Sequence, residues 1–251
     1  MPDNYDRIAK FYDVDMGRNM AFDDVGFYAR LAKADGGRLL ELGCGNGRIL
    51  LELLAQGVEA VGIDASAGML AHAQRKAAAR ALANPPVCRM NVRALAFRAA
   101  FGTVLCPYSL LTYLTSDAEL DRLLAGVRHA LLPSGRLVID VFVPRPLAAS
   151  TEFRLDYRRP FDGGELWRWK RITAISATLN RIERRYQVRA ADGALVEEID
   201  VAEDIRPYTH AMLEERLPAA GFAIDRIWWD YAETPRPPDP QFLTVSARHR
   251  T

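Results

Sequence analysis

Residues 39–47 read Leu-Leu-Glu-Leu-Gly-Cys-Gly-Asn-Gly, a short apolar run that ends in a glycine-rich turn. Apolar side chains at helical spacing come next, at Ile49, Leu50, Leu53 and Leu54. This pattern predicts a strand, a tight turn and a helix in succession. Glycines let the backbone approach a ligand closely, and a helix N-terminus presents free N–H groups. The stretch is therefore typical of a nucleotide-binding turn.

Two further features narrow the kind of nucleotide. Gly43, Gly45 and Gly47 form G-x-G-x-G, whereas the dinucleotide fingerprint is G-x-G-x-x-G. Glu41 places an acid in the strand end, where a nicotinamide-binding turn is usually apolar, so a nicotinamide oxidoreductase is disfavoured. Asp64 ends the next apolar run, about 20 residues after the first glycine, where a carboxylate can bind ribose hydroxyls.

These motifs resemble one family. The segments E-L-G-C-G-N-G at 41–47 and V-G-I-D-A-S at 61–66 are similar to those of the class I S-adenosylmethionine (SAM)-dependent methyltransferases. Residues 131–140, L-L-P-S-G-R-L-V-I-D, resemble the L-x-P-G-G-x-L segment before the fifth strand of that family. Residues 5–13 resemble its N-terminal Tyr-Asp-x-x-A-x-x-Tyr-Asp segment.

The order of predicted elements gives an α/β fold, and the resemblance implies a Rossmann-like seven-stranded methyltransferase sheet. From Glu165 to Ile205 the side chains alternate with period two, and Asp192-Gly193 is a strong hairpin signal, so an inserted antiparallel β-meander is predicted. The expected divisions are an N-terminal helical lid (1–35), a SAM-binding core (36–145), an antiparallel β insertion (146–206) and a C-terminal helix with a β-hairpin that completes the core (207–251). The insertion would form an acceptor roof or a dimer contact.

The resemblance also implies the cofactor, SAM, with S-adenosylhomocysteine (SAH) as its product. Gly43, Gly45 and Gly47 would let the backbone pass the methionine moiety, Glu41 would orient that end, and Asp64 would bind the ribose hydroxyls. The other assignments are Ala65 and Val92 beside the adenine, Asn91 on its amino group, the Cys106 carbonyl facing the ammonium group, and Tyr12 over the sulfonium. Asn91 and Gly102 depart from the family, which usually carries Asp there, although the Asn amide keeps an acceptor oxygen.

The acceptor pocket and the catalytic groups have no specific motif. The candidates are the aromatic and imidazole side chains of Tyr5, Tyr12, Tyr108, Tyr113, Trp167, Trp169, Tyr208 and His210. Aromatic faces stabilise a sulfonium by cation–π contacts of about 0.5–2 kcal/mol, and Tyr12 and Tyr108 are the catalytic candidates among the tyrosines. His210 is the candidate general base because histidine titrates near neutral pH. Packing is the alternative role for each aromatic residue, above all packing of Trp167 and Trp169 on the main sheet. For His210 the alternative is a solvent-exposed position at the start of a helix.

Composition disfavours several classes of protein. A net charge of +1 over 251 residues gives no global field for nucleic acid or membrane, and no apolar run approaches the roughly 18 residues of a membrane span. The acidic N-terminus lacks the apolar core of a signal peptide. Three scattered cysteines argue against a disulfide framework and for a reducing cytoplasm, and neither they nor the four histidines form a metal motif.

The predicted activity is methyl transfer from SAM to an O or N atom of a small molecule, with a secondary metabolite as one candidate. Nucleic acid is disfavoured because Cys-Pro-Tyr-Ser at 106–109 replaces the Asn/Asp-Pro-Pro-Tyr of amino-methylating DNA and protein enzymes, and the basic residues of the insertion fit a solvated face. A homodimer through the insertion stays open. The alternative is a SAM-binding protein of this fold that catalyses cyclisation or rearrangement, or only binds a partner.

Overall fold

Eleven strands form two separate sheets in the computed structural model, which describes residues 2–16, 20–82, 84–147 and 152–249. The strands are β1 (Leu39–Leu42), β2 (Ala60–Asp64), β3 (Val87–Arg89), β4 (Phe101–Cys106), β5 (Leu131–Phe142), β6 (Arg154–Phe161), β7 (Gly164–Ala174), β8 (Asn180–Arg189), β9 (Leu195–Ile205), β10 (Phe222–Trp229) and β11 (Phe242–His249). Seven pair in the order β3-β2-β1-β4-β5-β11-β10, and β6 to β9 form their own sheet. The predicted fold class is therefore confirmed.

The helices of the described residues surround the larger sheet and connect its strands. They are α1 (Pro2–Ile8), α2 (Tyr12–Met16), α3 (Asp24–Asp35), α4 (Leu50–Ala55), α5 (Ala67–Ala79), α6 (Asp117–Ala130) and α7 (His210–Ala219). The Ser66 hydroxyl accepts a hydrogen bond from the Met69 N–H, so it caps α5 as predicted. Thr209 caps α7 in the same way through the Met212 N–H.

Parallel pairing of β1 with β2 and β4 forms the centre of the larger sheet. Leu40, Leu42 and Val104 are fully buried there because both faces of the sheet are covered. On the other side β5 pairs with β4 in parallel and with β11 antiparallel, and the β10–β11 hairpin completes the sheet. The carboxyl ends of β1, β2 and β4 consequently meet at one edge, where open α/β sheets bind their ligands.

The strand β5 is longer than its sequence predicts. Pro133-Ser134-Gly135 reads as a turn before a strand at 136–142, but the extended backbone begins at Leu131. The register against β4 shifts, because Phe101 pairs with Leu131 whereas Thr103 pairs with Arg136. The extra residues on β5 are therefore accommodated as a bulge within the strand instead of a turn before it.

The β6–β9 sheet packs against an N-terminal segment, defined here as residues 2–16. Ile8 and Phe11 of this segment join Leu166, Tyr186 and Val201 in one apolar cluster. The Phe11 ring stacks on the Tyr186 ring with centroids 5.3 Å apart. We call this side of the β6–β9 sheet, which carries Leu166 and Tyr186, its inner face.

Within the four described ranges, no helix combines the length and the apolar character that crossing a bilayer requires.

Candidate functional site

A cavity of about 430 Å³ lies at the carboxyl ends of β1, β2 and β4, between the N-terminal segment and the inner face of the β6–β9 sheet. Its volume is typical of small-molecule sites, which span about 300–1,000 Å³. Ten predicted residues line it: Tyr5, Tyr12, Gly43, Gly45, Asp64, Ala65, Asn91, Val92, Tyr108 and Tyr113. Seven others lie outside its lining: Glu41, Gly47, Cys106, Trp167, Trp169, Tyr208 and His210.

The glycine turn after β1 requires its glycines for two different reasons. Gly43 and Gly45 have left-handed φ angles of 65° and 53°, and a Cβ on Gly43 would stand 2.9 Å from the Leu110 side chain. Gly47 has a φ of 80°, but a Cβ there would meet Leu51 at 2.9 Å instead of the cavity. The first two glycines thus shape the cavity wall, whereas Gly47, predicted to pass the cofactor, lets the following helix pack closely.

The Asp64 carboxylate is fixed at the end of β2 by two backbone hydrogen bonds. It accepts from the Gly45 N–H at 2.9 Å and from the Ser66 N–H at 2.8 Å. Burial raises the pKa of Asp64 above its ordinary value. The carboxylate therefore links the glycine turn to the start of α5 and faces the cavity, where it can accept hydrogen bonds from vicinal hydroxyls.

Glu41 lies beneath the cavity, with 2% of its surface exposed. Its Oε2 atom is buried without a hydrogen-bond partner, whereas buried carboxylate oxygens are normally satisfied. Burial raises the pKa of Glu41 from 4.5 to about 8. An orphaned acceptor below a glycine turn fits a ligand with an ammonium group, reached directly or through water, and together with Asp64 it makes this end of the cavity suitable for SAM.

The loop after β3 supplies the opposite wall of the same end. Asn91 and Val92 line the cavity, as does Ala65 from the loop after β2. The Asn91 Oδ1 atom accepts a hydrogen bond from the Arg93 N–H at 2.9 Å. Because an amide oxygen has two lone pairs, Asn91 can still accept a second hydrogen bond. Ala65 and Val92 provide apolar surface that suits a flat heterocycle.

Two carboxylates of the N-terminal segment attach it to the region of α5. The Asp6 carboxylate accepts from the Ser66 hydroxyl at 2.5 Å and from the Gly68 N–H at 2.7 Å. The Asp13 carboxylate accepts from the Lys76 ammonium at 2.7 Å. Both attachments join the segment to α5, so the tyrosines of the segment are held against the cofactor end.

Five tyrosines of the described ranges line the cavity, and four of them, Tyr5, Tyr12, Tyr108 and Tyr113, are candidates from the sequence. The Tyr5 and Tyr113 hydroxyls share a hydrogen bond of 2.5 Å, and the Tyr5 and Tyr12 rings meet edge to face at 6.4 Å. Burial raises the pKa of Tyr5 and Tyr12, and it raises the pKa of Tyr108 to about 12. These three phenols are therefore neutral at physiological pH and offer hydrogen bonds and ring faces rather than a base.

A fully buried carboxylate, Asp140 of β5, holds the loop that carries Tyr108. It accepts hydrogen bonds from the Ser109 N–H at 2.7 Å and from the Tyr231 hydroxyl at 2.8 Å, and the Tyr28 hydroxyl donates to it as well. Tyr108 and Ser109 both have left-handed φ angles, 51° and 54°. Such angles are strained for residues other than glycine, so Asp140 stabilises a backbone conformation that brings Tyr108 to the cavity.

Sequence reasoning did not identify Asp15, which lines the cavity beside the β6–β9 sheet. Asp15, which is 5% exposed, lines the cavity and accepts hydrogen bonds from the Tyr186 hydroxyl at 2.7 Å and from the Tyr157 hydroxyl. It also pairs with the Arg168 guanidinium at 2.9 Å. A carboxylate in the N-terminal segment thus joins three strands of the insertion, β6, β7 and β8, a connection that no local sequence pattern indicates.

The structure corrects the placement of His210. This residue begins α7, where its ring lies 3.6 Å from the Glu214 carboxylate and 6.1 Å, centre to centre, from the Trp229 ring. Tyr208 is also a packing residue, because it is 1% exposed and its hydroxyl donates to the Leu114 carbonyl at 2.7 Å. Cys106 is fully buried among apolar side chains of the core.

The structure also corrects the predicted position of the two tryptophans of β7. Arg168 and Lys170 line the cavity, so Trp167 and Trp169, which alternate with them, face away from it. The Trp167 ring has a guanidinium, that of Arg158, 3.7 Å from its centre. The expectation that these tryptophans pack on the main sheet is therefore wrong.

No group of three or more His, Cys, Asp or Glu side chains in the described ranges has a metal-binding arrangement.

Comparisons with known proteins agree with this geometry. Residues 39–135 match a family described as a methyltransferase domain. The dTDP-3-amino-3,6-dideoxy-alpha-D-glucopyranose N,N-dimethyltransferase of Streptomyces fradiae is 26% identical over 231 residues, which make up 87% of this chain and 84% of that protein.

Two solved structures share the fold over nearly the whole chain. A SAM-dependent methyltransferase from Clostridium acetobutylicum has a TM-score of 0.80 at 17% identity and covers 98% of this chain and 99% of its own. SAM-bound CalS10 of Micromonospora echinaspora, an amino pentose methyltransferase, has a TM-score of 0.71 at 23% identity, with 94% and 95% covered.

Proposed function

We propose that this chain is a class I SAM-dependent methyltransferase that transfers a methyl group to an O or N atom of a small molecule. One observation carries the proposal: a single cavity joins the cofactor residues Gly43, Gly45 and Asp64 to the inner face of the β6–β9 sheet. Two molecules can therefore meet in one enclosed space. In this proposal residues 1–35 act as the lid, 36–145 and 207–251 form the core, and 146–206 form the acceptor roof.

The protein contributes to catalysis by positioning the reactants and excluding water, more than by acid–base chemistry. When bound, SAM supplies a methyl group on a sulfonium, which a nucleophile displaces in line. The glycine turn would hold the methionine end of the cofactor, Asp64 would bind its ribose hydroxyls, and Glu41 would accept from its ammonium group directly or through water. Tyr5 and Tyr12 close the cavity, so the reacting atoms are held together in a space from which water is removed.

Nitrogen is the acceptor atom that the lining favours. The described lining contains no His, Cys or Glu, and its carboxylates, Asp15 and Asp64, already accept hydrogen bonds from neighbouring groups. An alcohol would need a base in the cavity, whereas an amine can release its proton to solvent before it binds. The names of two similar proteins, an N,N-dimethyltransferase and an amino pentose methyltransferase, support the same choice.

The first experiment is a calorimetric titration of the protein with SAM and with SAH. We expect Asp64→Ala to weaken both affinities about 10- to 100-fold, because hydrogen bonds to a charged group contribute about 1.5–3 kcal/mol. Asp121→Ala is the matched control, since this carboxylate pairs with Arg216 on the far side of α6. Equal affinity in wild type and Asp64→Ala would contradict the assigned cofactor site.

A second measurement separates methyl transfer from the alternative activities of this fold. Small amines, alcohols and phenols are incubated with the enzyme and SAM, and SAH release is measured. We expect release with amines and mass gain of one methyl group in the acceptor. Tight SAH binding without release for any acceptor class would favour a non-methylating role.

A homodimer, the lack of nucleic-acid binding and a cytoplasmic location stay predictions.

A further inference from the structure

Three cations stand side by side on the inner face of the β6–β9 sheet. Lys170 of β7 pairs with Arg184 of β8 on one side and with Arg154 of β6 on the other. Directly paired residues of antiparallel strands project from the same face of a sheet, so the three side chains form one row. Lys170 and Arg184 line the cavity, and Arg154 is exposed beside them. We call Arg154, Lys170 and Arg184 the basic row.

Like charges at directly opposite positions destabilise a sheet unless another charge compensates them. The Arg184 guanidinium donates to the Glu203 carboxylate at 2.5 Å, so a neighbouring negative charge compensates the charge of Arg184. The Lys170 ammonium lies 3.3 Å from Asp156, a carboxylate that already accepts from the Arg168 guanidinium at 2.8 Å. Lys170 therefore shares the carboxylate of Asp156 with Arg168, which lies nearer to that carboxylate and is better aligned for a hydrogen bond.

The charges around the row do not balance. Its members and Arg168 make four cations, and the carboxylates paired with them are Asp15, Asp156 and Glu203. Arg154, which is exposed beside the cavity, is the cation of this set without a paired carboxylate among the described residues, and Lys170 on the cavity wall shares the carboxylate of Asp156 with Arg168. Ile172 and Ile182, which line the cavity from the neighbouring register position, lower the local polarity and so strengthen the attraction for an anion.

We propose that the basic row binds an anionic group of the acceptor, a phosphate or a carboxylate. The Lys170 side chain is 38% exposed and the Arg184 side chain 13%, so the first can reach the ligand freely while the second is held in place. Ammonium and guanidinium groups are the usual donors to both kinds of anion. This inference rests on the proposed function, because it describes the molecule that receives the methyl group.

The row is separate from the cofactor end of the cavity. It lies on the inserted sheet, whereas Gly43, Gly45 and Asp64 follow β1 and β2 of the larger sheet. An acceptor anchored at the row would point its other end toward Tyr5 and the cofactor. The row would thus select acceptors by charge while taking no part in the methyl transfer itself.

The test uses the full chain and two simple probes, inorganic pyrophosphate and succinate, titrated calorimetrically with and without SAH. We expect at least one probe to bind wild type and to bind Lys170→Gln and Arg154→Gln at least fivefold more weakly. Stronger binding of pyrophosphate indicates a phosphate-bearing acceptor, and stronger binding of succinate a carboxylate-bearing one. Both variants change partly or fully exposed side chains, so we expect them to fold.

Arg181→Gln is the control, because Arg181 lies on β8 but alternates with Arg184 onto the opposite face and pairs with Asp204. Equal binding of the probes by wild type and Lys170→Gln, or no binding to wild type, overturns the proposal. SAH binding to the same preparations is recorded separately. A wild type that binds the anions but not SAH would refute the proposed function and leave the anion site standing.

Discussion

The Asp140 carboxylate accepts a hydrogen bond of 2.7 Å from the backbone N–H of Ser109, which precedes it by 31 residues. This contact joins the carboxyl-terminal part of β5 to the loop after β4. The Tyr28 and Tyr231 hydroxyls donate to the same carboxylate, so one buried acid serves three donors from three parts of the chain. The loop that carries Tyr108 depends on it.

Asp140→Ala leaves three buried donors without an acceptor. We expect the free energy of unfolding to fall by about 2–4 kcal/mol, because an unsatisfied buried polar group costs about 1–3 kcal/mol. Urea unfolding at fixed pH measures this loss. Tyr231→Phe is the control, since it removes one hydrogen bond and should cost about 1 kcal/mol. A loss in Asp140→Ala no larger than that of the control would contradict the assigned role.

Glu41 should make the stability of the cofactor-free protein depend on pH. Its pKa is about 8 in the folded protein and near 4.5 when solvated, so between these values the folded chain holds a proton that the unfolded chain has released. The free energy of unfolding therefore falls as pH rises through this window, by up to about 1.4 kcal/mol per pH unit.

Urea unfolding of wild type and Glu41→Gln between pH 5 and pH 8 tests this dependence. The variant carries no ionisable group at this position, so its stability should fall less steeply with pH. The difference between the two slopes isolates Glu41 from the other buried acids. Parallel slopes would mean that Glu41 is ionised when the protein is folded.

Asp6→Ala should loosen the N-terminal segment. It removes the acceptor for the Ser66 hydroxyl and the Gly68 N–H, two hydrogen bonds worth roughly 1 kcal/mol each. Amide hydrogen exchange in residues 2–16 should accelerate about 5- to 30-fold, while exchange in β1 and β4 stays unchanged. Exchange in the segment as slow as in wild type would show that other contacts are sufficient to hold it.

His210→Ala should leave turnover within about twofold of wild type, because the imidazole packs beside Trp229 and does not line the cavity. Tyr12→Ala is the informative comparison. It removes a ring from the cavity wall, and we expect turnover to fall about 2- to 30-fold, which corresponds to a cation–π contact of 0.5–2 kcal/mol. SAH release with one accepted amine measures both variants.

Local patterns predicted much of the cofactor end. The strand, the turn with left-handed glycines and the acid at the end of β2 are contiguous or joined by one βαβ unit, so spacing alone places them together. The alternation in β7 also predicted two faces correctly. Within β7 it could not decide which face turns inward, because both faces carry large apolar side chains, Trp167 and Trp169 on one and Leu166 and Ile172 on the other. Arg168 and Lys170 of the inner face pair with the carboxylates of Asp15 and Asp156.

Long-range pairing explains the rest of what sequence reasoning missed. Asp15 and Tyr186 lie 171 residues apart, and nothing in either neighbourhood points to the other. His210 lies outside the cavity lining for the complementary reason: the order of elements placed α7 near the site, but the first turn of α7 packs against Trp229.

The N-terminal segment has a consequence for how the protein is made. Asn4 donates to the Ala202 carbonyl across 198 residues, and Asp15 is bound by side chains of β6, β7 and β8. The N-terminal segment therefore cannot complete these contacts until β9 has been synthesised. Closure of such long loops is slow relative to local folding. The segment that covers the site therefore takes its place only after the β6–β9 sheet that it contacts has been made.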